Sequence, residues 1–282
     1  MKRNIKSLLV GLFSTFIQLF GRIRIGQLFF EQILSYSLNR VSQIKHNGVI
    51  YTFAIPNSLS RWRIKSFSTK EPETLEWIDG IPVGSIVWDI GANIGLYSVY
   101  AAKRTNSKVY AFEPSVFNLE LLARNIYLNK LTDQVCIVPL ALSDQLSISQ
   151  MRMTSTEWGG ALSTFGEEFG WDGKTIKEIF SYQLIGLDME NAVNRLEIPK
   201  PDFIKMDVDG LEHFILKGGQ GVLSTVKSIL IEVNDDFTEQ AQQCEFLLTE
   251  AGLVLKEKRH SEEIDQSDSG FQNTYNQIWV RS

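Results

Sequence analysis

The chain has 282 residues, of which 44% are hydrophobic and 22% are charged, and its formal net charge is −5. This is the composition of a globular protein, and the chain is long enough to bury a core without disulfides. The acidic balance, with no long basic run in the main body, argues against a nucleic acid as the partner. The two cysteines and three histidines lack the spacing of a zinc site, so we expect buried thiols in a reducing, cytoplasmic compartment.

The first thirty residues differ from the rest of the chain. All their charged side chains are basic: Lys2, Arg3, Lys6, Arg22 and Arg24. The apolar stretch LLVGLFSTFIQLF spans residues 8–20, and we predict a helical extension over residues 1–45. The sequence leaves open whether this extension packs on the domain or on a second copy in a homo-oligomer, lies on a membrane through residues 1–30, or is an export signal or anchor.

Residues 46–83 are predicted to lead into the main domain. The stretch GVIYTFAIPN, residues 48–57, alternates like a strand and ends in a Pro-Asn turn. The stretch STKEPETLEWIDGI predicts a short helix, capped by Ser68 or Thr69 and ended by Gly80.

The main domain, residues 84–282, mostly alternates buried strands with helices. SIVWDIG, SKVYAFEP, QVCIVPLALSD, DFIKMDVDG and VKSILIEVND are predicted strands, and LVLKEK and YNQIWV add a terminal hairpin. Nearly continuous apolar strands that alternate with helices indicate an α/β fold, with a parallel sheet covered on both faces. Residues 145–200 interrupt this alternation with a segment rich in glycine and aromatic residues, which we interpret as a lid over a ligand site.

Polar residues follow the first two strands of this domain. Asp89 ends the first strand, and Gly91 and Gly95 in the following turn let the backbone approach a ligand closely. Glu113 ends the second strand, where a carboxylate can accept both hydroxyls of a ribose. This pattern predicts a ligand that contains adenosine.

The next strand ends are acidic as well. Asp144 follows the third strand, where an acid can take the amino group of an adenine, and Asp207 ends the fourth. So much negative charge is unfavourable for a pyrophosphate but suits a ligand with a positive centre, such as the sulfonium of S-adenosylmethionine.

Four motifs in this order resemble those of the FkbM family of class I methyltransferases, and the resemblance covers about residues 50–282. The motifs are WDIGANIGLYS (88–98), FEPSVFN (112–118), LALSD (140–144) and IKMDVDGLEHFILKG (204–218). The resemblance implies a Rossmann-like fold with a seven-stranded, mostly parallel sheet, and S-adenosylmethionine as the cofactor. It also implies O-methylation of a small molecule or glycan.

The resemblance further implies roles for individual residues. Asp89, Gly91, Asn93 and Gly95 are expected to hold the methionine part, and Glu113 the ribose hydroxyls, with Asn118 nearby. Ser143 and Asp144 are expected to meet the adenine, and the further cofactor-binding residues are Ala92, Tyr97, Ser98 and Pro114. Asp207 is expected to face the methyl group.

An alcohol acceptor must lose a proton, which requires a base or a metal ion. The candidate catalytic residues are Asp207, Glu212 and His213. Other interpretations stay open, because Glu212 can be a helix N-terminal acid and His213 a packing residue. Magnesium is a second open alternative, with oxygen ligands from Asp207 together with Glu232, Asn234 or Asp235.

We therefore predict a methyltransferase that uses S-adenosylmethionine and acts on a sugar hydroxyl of a glycan or a glycosylated metabolite. Two other classes share the glycine turn: a nicotinamide-dependent oxidoreductase and a binding module without activity. A protein or RNA acceptor is a third alternative, and the acidic balance speaks against RNA.

Overall fold

A computed structural model describes residues 11–260 and 270–281, except Leu12. Its strands are β1 Val41–His46, β2 Val49–Ala54, β3 Ile86–Ile90, β4 Lys108–Phe112, β5 Val135–Val138, β6 Ala141–Leu142, β7 Ser147–Met153, β8 Thr164–Phe165, β9 Phe180–Leu187, β10 Phe203–Met206, β11 Ser228–Asn234, β12 Leu253–Arg259 and β13 Thr274–Arg281. Its helices are α1 Arg24–Leu38, α2 Ser58–Lys65, α3 Pro72–Asp79, α4 Leu96–Thr105, α5 Val116–Leu128, α6 Met189–Asn194, α7 Glu212–Lys217, α8 Gln220–Leu223 and α9 Thr238–Glu250.

The predicted N-terminal helix is correct for only part of its length. Residues 13–20 and α1 are helical, whereas residues 1–10 lie outside the described part of the chain. From Val41 the prediction is wrong, because β1 pairs antiparallel with β2. The turn between them is Asn47-Gly48, both with positive φ (46° and 81°), a pair that favours a tight hairpin over a helix. Among the described residues, no helix is both long and apolar enough to cross a membrane.

The lead-in helix α3 ends at Gly80, as predicted, but begins elsewhere. Its N-cap is Glu71 rather than Ser68 or Thr69, because Pro72 occupies the first helical position, where its missing N–H costs nothing.

The main sheet has seven strands in the order β12-β13-β11-β10-β3-β4-β5. All its neighbouring pairs are parallel except those of β13, which is antiparallel to β11 and β12. The predicted sheet and the pairing of the last two strands are confirmed. The order of the strands along the chain reverses between β3 and β10. In an open α/β sheet, ligands bind beside such a reversal, at the carboxyl ends of the strands.

Apolar side chains cover both faces of this sheet. On one face Val87 and Val109 pack with residues of α3, α4 and α5, and on the other Ile90 and Ile204 pack with residues of α7 and α9. The fold is therefore a Rossmann-like α/β sandwich, as predicted.

The interval between β5 and β10 holds a second sheet, with the order β6-β9-β7-β8. The predicted strand QVCIVPLALSD is in fact two strands in two sheets, β5 and β6, separated at Pro139. Cys136 on the edge strand β5 is exposed, so the prediction of two buried thiols is correct only for Cys244.

Candidate active site

The turn between β3 and α4 lies against the end of β10. Gly91 has φ +81°, and a Cβ there would lie 1.8 Å from the carbonyl oxygen of Asp207. Gly95 has φ +80°, and a Cβ there would lie 2.4 Å from Cδ1 of Leu122 on α5. Asn93, with φ +51°, is also in the left-handed region, which asparagine tolerates better than most residues. The glycines are therefore required for close backbone packing as well as for the shape of the turn.

Glu113, at the end of β4, is held by the same turn. One carboxylate oxygen accepts a hydrogen bond from the Asn93 N–H at 2.7 Å, and the other accepts from the Ser115 N–H at 2.8 Å. Burial raises the pKa of Glu113 to about 7, although these N–H groups act in the opposite direction. Each carboxylate oxygen has two acceptor positions, so Glu113 retains capacity for a ligand.

A cleft of about 620 Å³, open mouth included, lies beside Glu113. Six residues assigned from the sequence line it: Gly91, Asn93, Glu113, Pro114, Asn118 and Asp207. Its remaining wall includes residues to which the sequence assigned no role, among them Leu142, Met151, Gly160, Phe165 and Asp209. The first four come from the second sheet and its loops, and Asp209 comes from the loop after β10.

The loop between β7 and β8 is fixed over this cleft by two asparagines. The side-chain amides of Asn93 and Asn118 both donate to the Gly160 carbonyl, at 2.8 and 3.1 Å. The Asn118 side-chain oxygen accepts from the Gly159 N–H at 3.0 Å. A backbone contact therefore ties residues 145–200 to the cleft.

Most aromatic side chains in the segment 145–200 pack against other parts of the chain rather than face the solvent. Trp158 packs on the apolar core, Phe169 contacts Phe237, and Trp171 stacks on Phe271 with ring centroids 4.1 Å apart. Their partial burial therefore follows from packing within the chain.

A row of polar side chains crosses one face of the main sheet at this end. We call Asp89, Lys205, Asp207 and Glu232 the polar row. Asp89 on β3 is paired with Lys205 on β10. Glu232 lies on β11, two residues after the β11 residue that is paired with Lys205. The Lys205 ammonium contacts the Asp207 carboxylate at 3.1 Å and is buried. The pKa of Lys205 is raised despite its burial, because Asp207, Asp89 and Glu71 surround it.

Glu71, the N-cap of α3, lies above the polar row and is almost completely buried. Burial acts to raise its pKa, but the neighbouring Lys70 and Lys205 lower that pKa to about 2. The next acid, Glu73, accepts a hydrogen bond from Asn276 on β13 at 2.7 Å. The first two acids of the stretch EPETLEWID, Glu71 and Glu73, are thus buried against the sheet, whereas Glu76 is exposed and pairs with Arg259.

Burial is also the main cause of the raised pKa values of Glu232 and Asp209. For Glu232 the negative charges of Asp207 and Glu71 act in the same direction. Asp209 has φ +59° and accepts from the Leu162 N–H at 2.7 Å, and its pKa is raised to about 6.

Glu212 and His213 do not line the cleft. One oxygen of Glu212 accepts from the Val208 N–H at 3.0 Å, and the other accepts from the Gly210 N–H at 3.1 Å and from Gln240. Burial raises the pKa of Glu212 to about 7. His213 packs against Phe214 and Phe237. The Glu212 carboxylate therefore bridges N–H groups of the loop that carries Asp207, and the His213 ring lies between two aromatic rings.

Asp89, Ala92, Gly95, Tyr97 and Ser98 lie behind the turn rather than on the cleft surface. Ser98 donates to one oxygen of Asp89, and the other oxygen is buried without a hydrogen-bond partner among the described residues. Burial raises the pKa of Asp89. The Lys205 ammonium lies 5.4 Å from the centre of the Tyr97 ring.

Ser143 and Asp144 line a neighbouring cavity instead of the cleft. The Ser143 N–H donates to the Leu187 carbonyl, and Asp144 pairs with Lys217 at 3.1 Å. Leu140, Ala141 and Leu142 are the residues of the LALSD motif that reach the cleft.

Two of the proposed magnesium ligands are engaged elsewhere. Asp235 is exposed and pairs with Lys258, whereas the Asn234 side chain contacts the Trp171 carbonyl and the Asp236 N–H. Across the described part of the chain, no three acidic, histidine or cysteine side chains are arranged to hold a metal ion. The structure therefore gives no support to magnesium.

Comparisons with known proteins match this chain to methyltransferases. Residues 89–258 match the methyltransferase FkbM domain. The hexuronic acid methyltransferase AglP of Haloferax volcanii is 25% identical over 189 residues, which are 67% of this chain and 72% of that protein. The methyltransferase sdnD of Sordaria araneosa is 26% identical over 64% of this chain and 78% of that protein. A solved structure, precorrin-6y C5,15-methyltransferase from Geobacter metallireducens, is 13% identical with a TM-score of 0.42, covering 75% of this chain and 87% of that one.

Proposed function

Because this chain belongs to the FkbM family of S-adenosylmethionine-dependent methyltransferases, we propose that it methylates a hydroxyl oxygen of a sugar in a glycan or a glycosylated metabolite. Membership in this enzyme family argues against the two other classes considered from the sequence, a nicotinamide-dependent oxidoreductase and an inactive binding module.

The cleft residues fit the methyl donor. The free acceptor positions of Glu113 suit the two ribose hydroxyls, and Leu142 and Phe165 give apolar walls for an adenine. The carboxylates of Asp207 and Asp209 complement a positive centre. S-Adenosylmethionine supplies a methyl group activated by its sulfonium, so the chain has mainly to bind and align the two reactants.

The proposal for the acceptor rests on one observation. Asp207 lines the cleft, and the polar row extends from Asp207 to Glu232, which lies outside the cleft. Four carboxylates interact there, and they outnumber the three positively charged groups near them, those of Arg63, Lys70 and Lys205. The carboxylates are Glu71, Asp207, Asp209 and Glu232. Acceptor groups in excess favour a molecule with several hydroxyl donors, since an apolar acceptor would leave them unsatisfied.

Glu232 is our proposed base for the acceptor proton. Its carboxyl lies next to Asp207, and a carboxyl with a raised pKa takes up a proton more readily near neutral pH than an ordinary one. Asp207, held by Lys205, is proposed to orient the hydroxyl group. The name of the relative AglP supports a sugar acceptor, since it describes a methyltransferase for hexuronic acids.

The test uses the purified protein, S-adenosylmethionine with a labelled methyl group, and separate acceptors: neutral oligosaccharides, uronic-acid oligosaccharides, protein and RNA. We expect label in an oligosaccharide fraction. Mild alkali then distinguishes the two kinds of sugar oxygen, because it cleaves a methyl ester but not a methyl ether.

Label that survives alkali would support transfer to a hydroxyl group. Label released by alkali would show a carboxyl acceptor and contradict the proposed hydroxyl. Label in protein or RNA alone would overturn the sugar acceptor. A Glu232→Gln variant, once shown to bind S-adenosylhomocysteine like the wild type, gives the background level of label in this assay.

A further inference from the structure

The described part of the N-terminal region exposes an unusual amount of apolar surface. In α1 only Gly26 is buried. The large apolar side chains that are exposed between residues 13 and 36 are Phe13, Phe16, Ile17, Leu19, Ile23, Ile25, Leu28, Phe29, Ile33, Leu34 and Tyr36. A contiguous apolar surface of this kind in a globular protein marks a contact site.

These side chains follow the helical period. In residues 13–20, Phe13, Phe16, Ile17 and Phe20 lie three or four positions apart and share one face. Ser14, Thr15 and Gln18 lie on the opposite face. An amphipathic helix with aromatic residues on one face is suited to an apolar–water boundary.

The two helical segments are joined into a preformed pair. A Cβ at Gly26 would lie 1.8 Å from the Phe20 carbonyl oxygen, so only glycine permits this approach. The ring of Phe20 contacts those of Phe29 and Phe30 edge-on, at 5.7 and 5.8 Å. The pair therefore has a small core of its own, while its outer apolar side chains stay exposed.

The positive charge of the N-terminal region indicates which kind of partner suits this apolar surface. The five charged residues before Glu31 are all basic, so the remaining residues carry a net charge of −10, from −5 − 5. A second copy placed on this surface would bring two basic segments together, which is unfavourable. An anionic lipid surface matches both the apolar side chains and the basic ones.

We propose that residues 13–38 bind the surface of a membrane that contains anionic lipids. Arg22 and Arg24 would contact the headgroups, and the exposed aromatic and aliphatic side chains would enter the boundary with the acyl chains. The end of α1 is fixed to the body, since the Ser37 hydroxyl donates to the Pro56 carbonyl at 2.9 Å. The neighbouring Asn57 side chain donates to the Trp158 carbonyl, beside the loop over the cleft.

The test is flotation of the full chain with vesicles, read out as bound protein without any activity measurement. One set of vesicles is phosphatidylcholine alone, and the other contains about a quarter phosphatidylglycerol. We expect binding to the second set, reduced by high salt. The double variant Arg22→Gln/Arg24→Gln should bind roughly 30-fold more weakly, and Ile25→Gln/Leu34→Gln at least about tenfold more weakly.

The matched control is Ile148→Gln/Leu255→Gln, which removes exposed apolar side chains from the body. Ile25 and Ile148 are 68% and 69% exposed, so the two variants change surface hydrophobicity to a similar extent. If Ile25→Gln/Leu34→Gln bound the vesicles as well as Ile148→Gln/Leu255→Gln does, the proposal would be overturned. The proposal would also be overturned if the wild-type protein did not bind vesicles but formed a dimer, and Ile25→Gln/Leu34→Gln dissociated that dimer. A second copy would then cover this surface.

Discussion

Lys205 and Asp207 lie two positions apart at the end of β10, with the Lys205 ammonium 3.1 Å from the Asp207 carboxylate. Since side chains alternate along a strand, the pair lies on one face of the sheet, where it joins the buried Asp89 to the cleft. The buried lysine ammonium supplies the counter-charge for three acids around it, Asp89, Asp207 and Glu71.

Replacing Lys205 should therefore be costly. In Lys205→Met we expect the free energy of unfolding to fall by about 3 kcal/mol, because buried carboxylates lose their counter-charge. Denaturant unfolding followed by circular dichroism measures this. The control is Lys227→Met, which removes an exposed ion pair to Asp202 and should cost less than about 1 kcal/mol. Similar costs for both variants would contradict the role given to Lys205.

Gly91→Ala tests the close packing of the turn. Gly91 and Gly84 share φ +81°, but a Cβ at Gly84 meets nothing within 4 Å, whereas one at Gly91 meets the Asp207 backbone. Gly84→Ala should lose about 1–2 kcal/mol of stability from strain alone and still bind S-adenosylhomocysteine. Gly91→Ala should lose clearly more stability and its binding, as measured by thermal unfolding and calorimetry. Normal binding by Gly91→Ala would show that the turn has no part in the site.

Glu113 gives the donor site a pH dependence. Its pKa of about 7 in the folded protein means that its full charge is reached only as the pH rises through 7. If the ionised carboxylate accepts ribose hydroxyls, the affinity for S-adenosylhomocysteine should increase between about pH 6 and pH 8. Glu113→Ala should bind at least about tenfold more weakly at pH 8 and lose this dependence.

Calorimetry at several pH values measures the change. Glu157→Gln, at an exposed position in the loop near the cleft, is the control and should bind like the wild type. A Glu113→Ala protein with unchanged affinity would show that Glu113 does not bind the donor.

The sequence was sufficient to place Asp89, Glu113 and Asp207 at one edge of the sheet. Parallel strands place their carboxyl ends together, and buried strands are marked by continuous apolar runs. Glu71 was not predicted, because the acids at the start of α3 have the pattern of a solvated first turn. Only the packing of α3 onto the sheet buries them.

Two further differences also arise from tertiary contacts. The Gly160 carbonyl over the cleft lies in a loop without periodicity, so no local pattern could place it beside Asn93 and Asn118. Glu212 lies within a site motif, but its carboxylate accepts from N–H groups of its own loop and from Gln240 on α9, and the positive φ of Asp209 and Gly210 shapes that loop.

Glu212 should also make stability depend on pH. Its pKa is raised from 4.5 to about 7 in the folded protein, so the folded state holds this proton more tightly than the unfolded state. The contribution to stability is then full below about pH 4.5 and is lost as the pH rises towards 7. Denaturant unfolding between these values should show a decreasing free energy, and Glu212→Gln should reduce the slope. The exposed Glu250→Gln should leave the slope unchanged, and an unaltered slope in Glu212→Gln would refute the assignment.

Glu232→Gln tests the proposed base separately from donor binding. Glu232 does not line the donor cleft, so the variant should bind S-adenosylhomocysteine with unchanged affinity while kcat falls by about 10²- to 10⁴-fold. In the wild type, activity should rise with pH as the Glu232 carboxyl ionises, because its pKa is raised by burial and by its acidic neighbours. This acidic limb should be absent from the residual activity of the variant. The control, Glu245→Gln on the exposed side of α9, should keep both kcat and the limb. A variant that loses kcat but retains the limb would show that another group takes the proton.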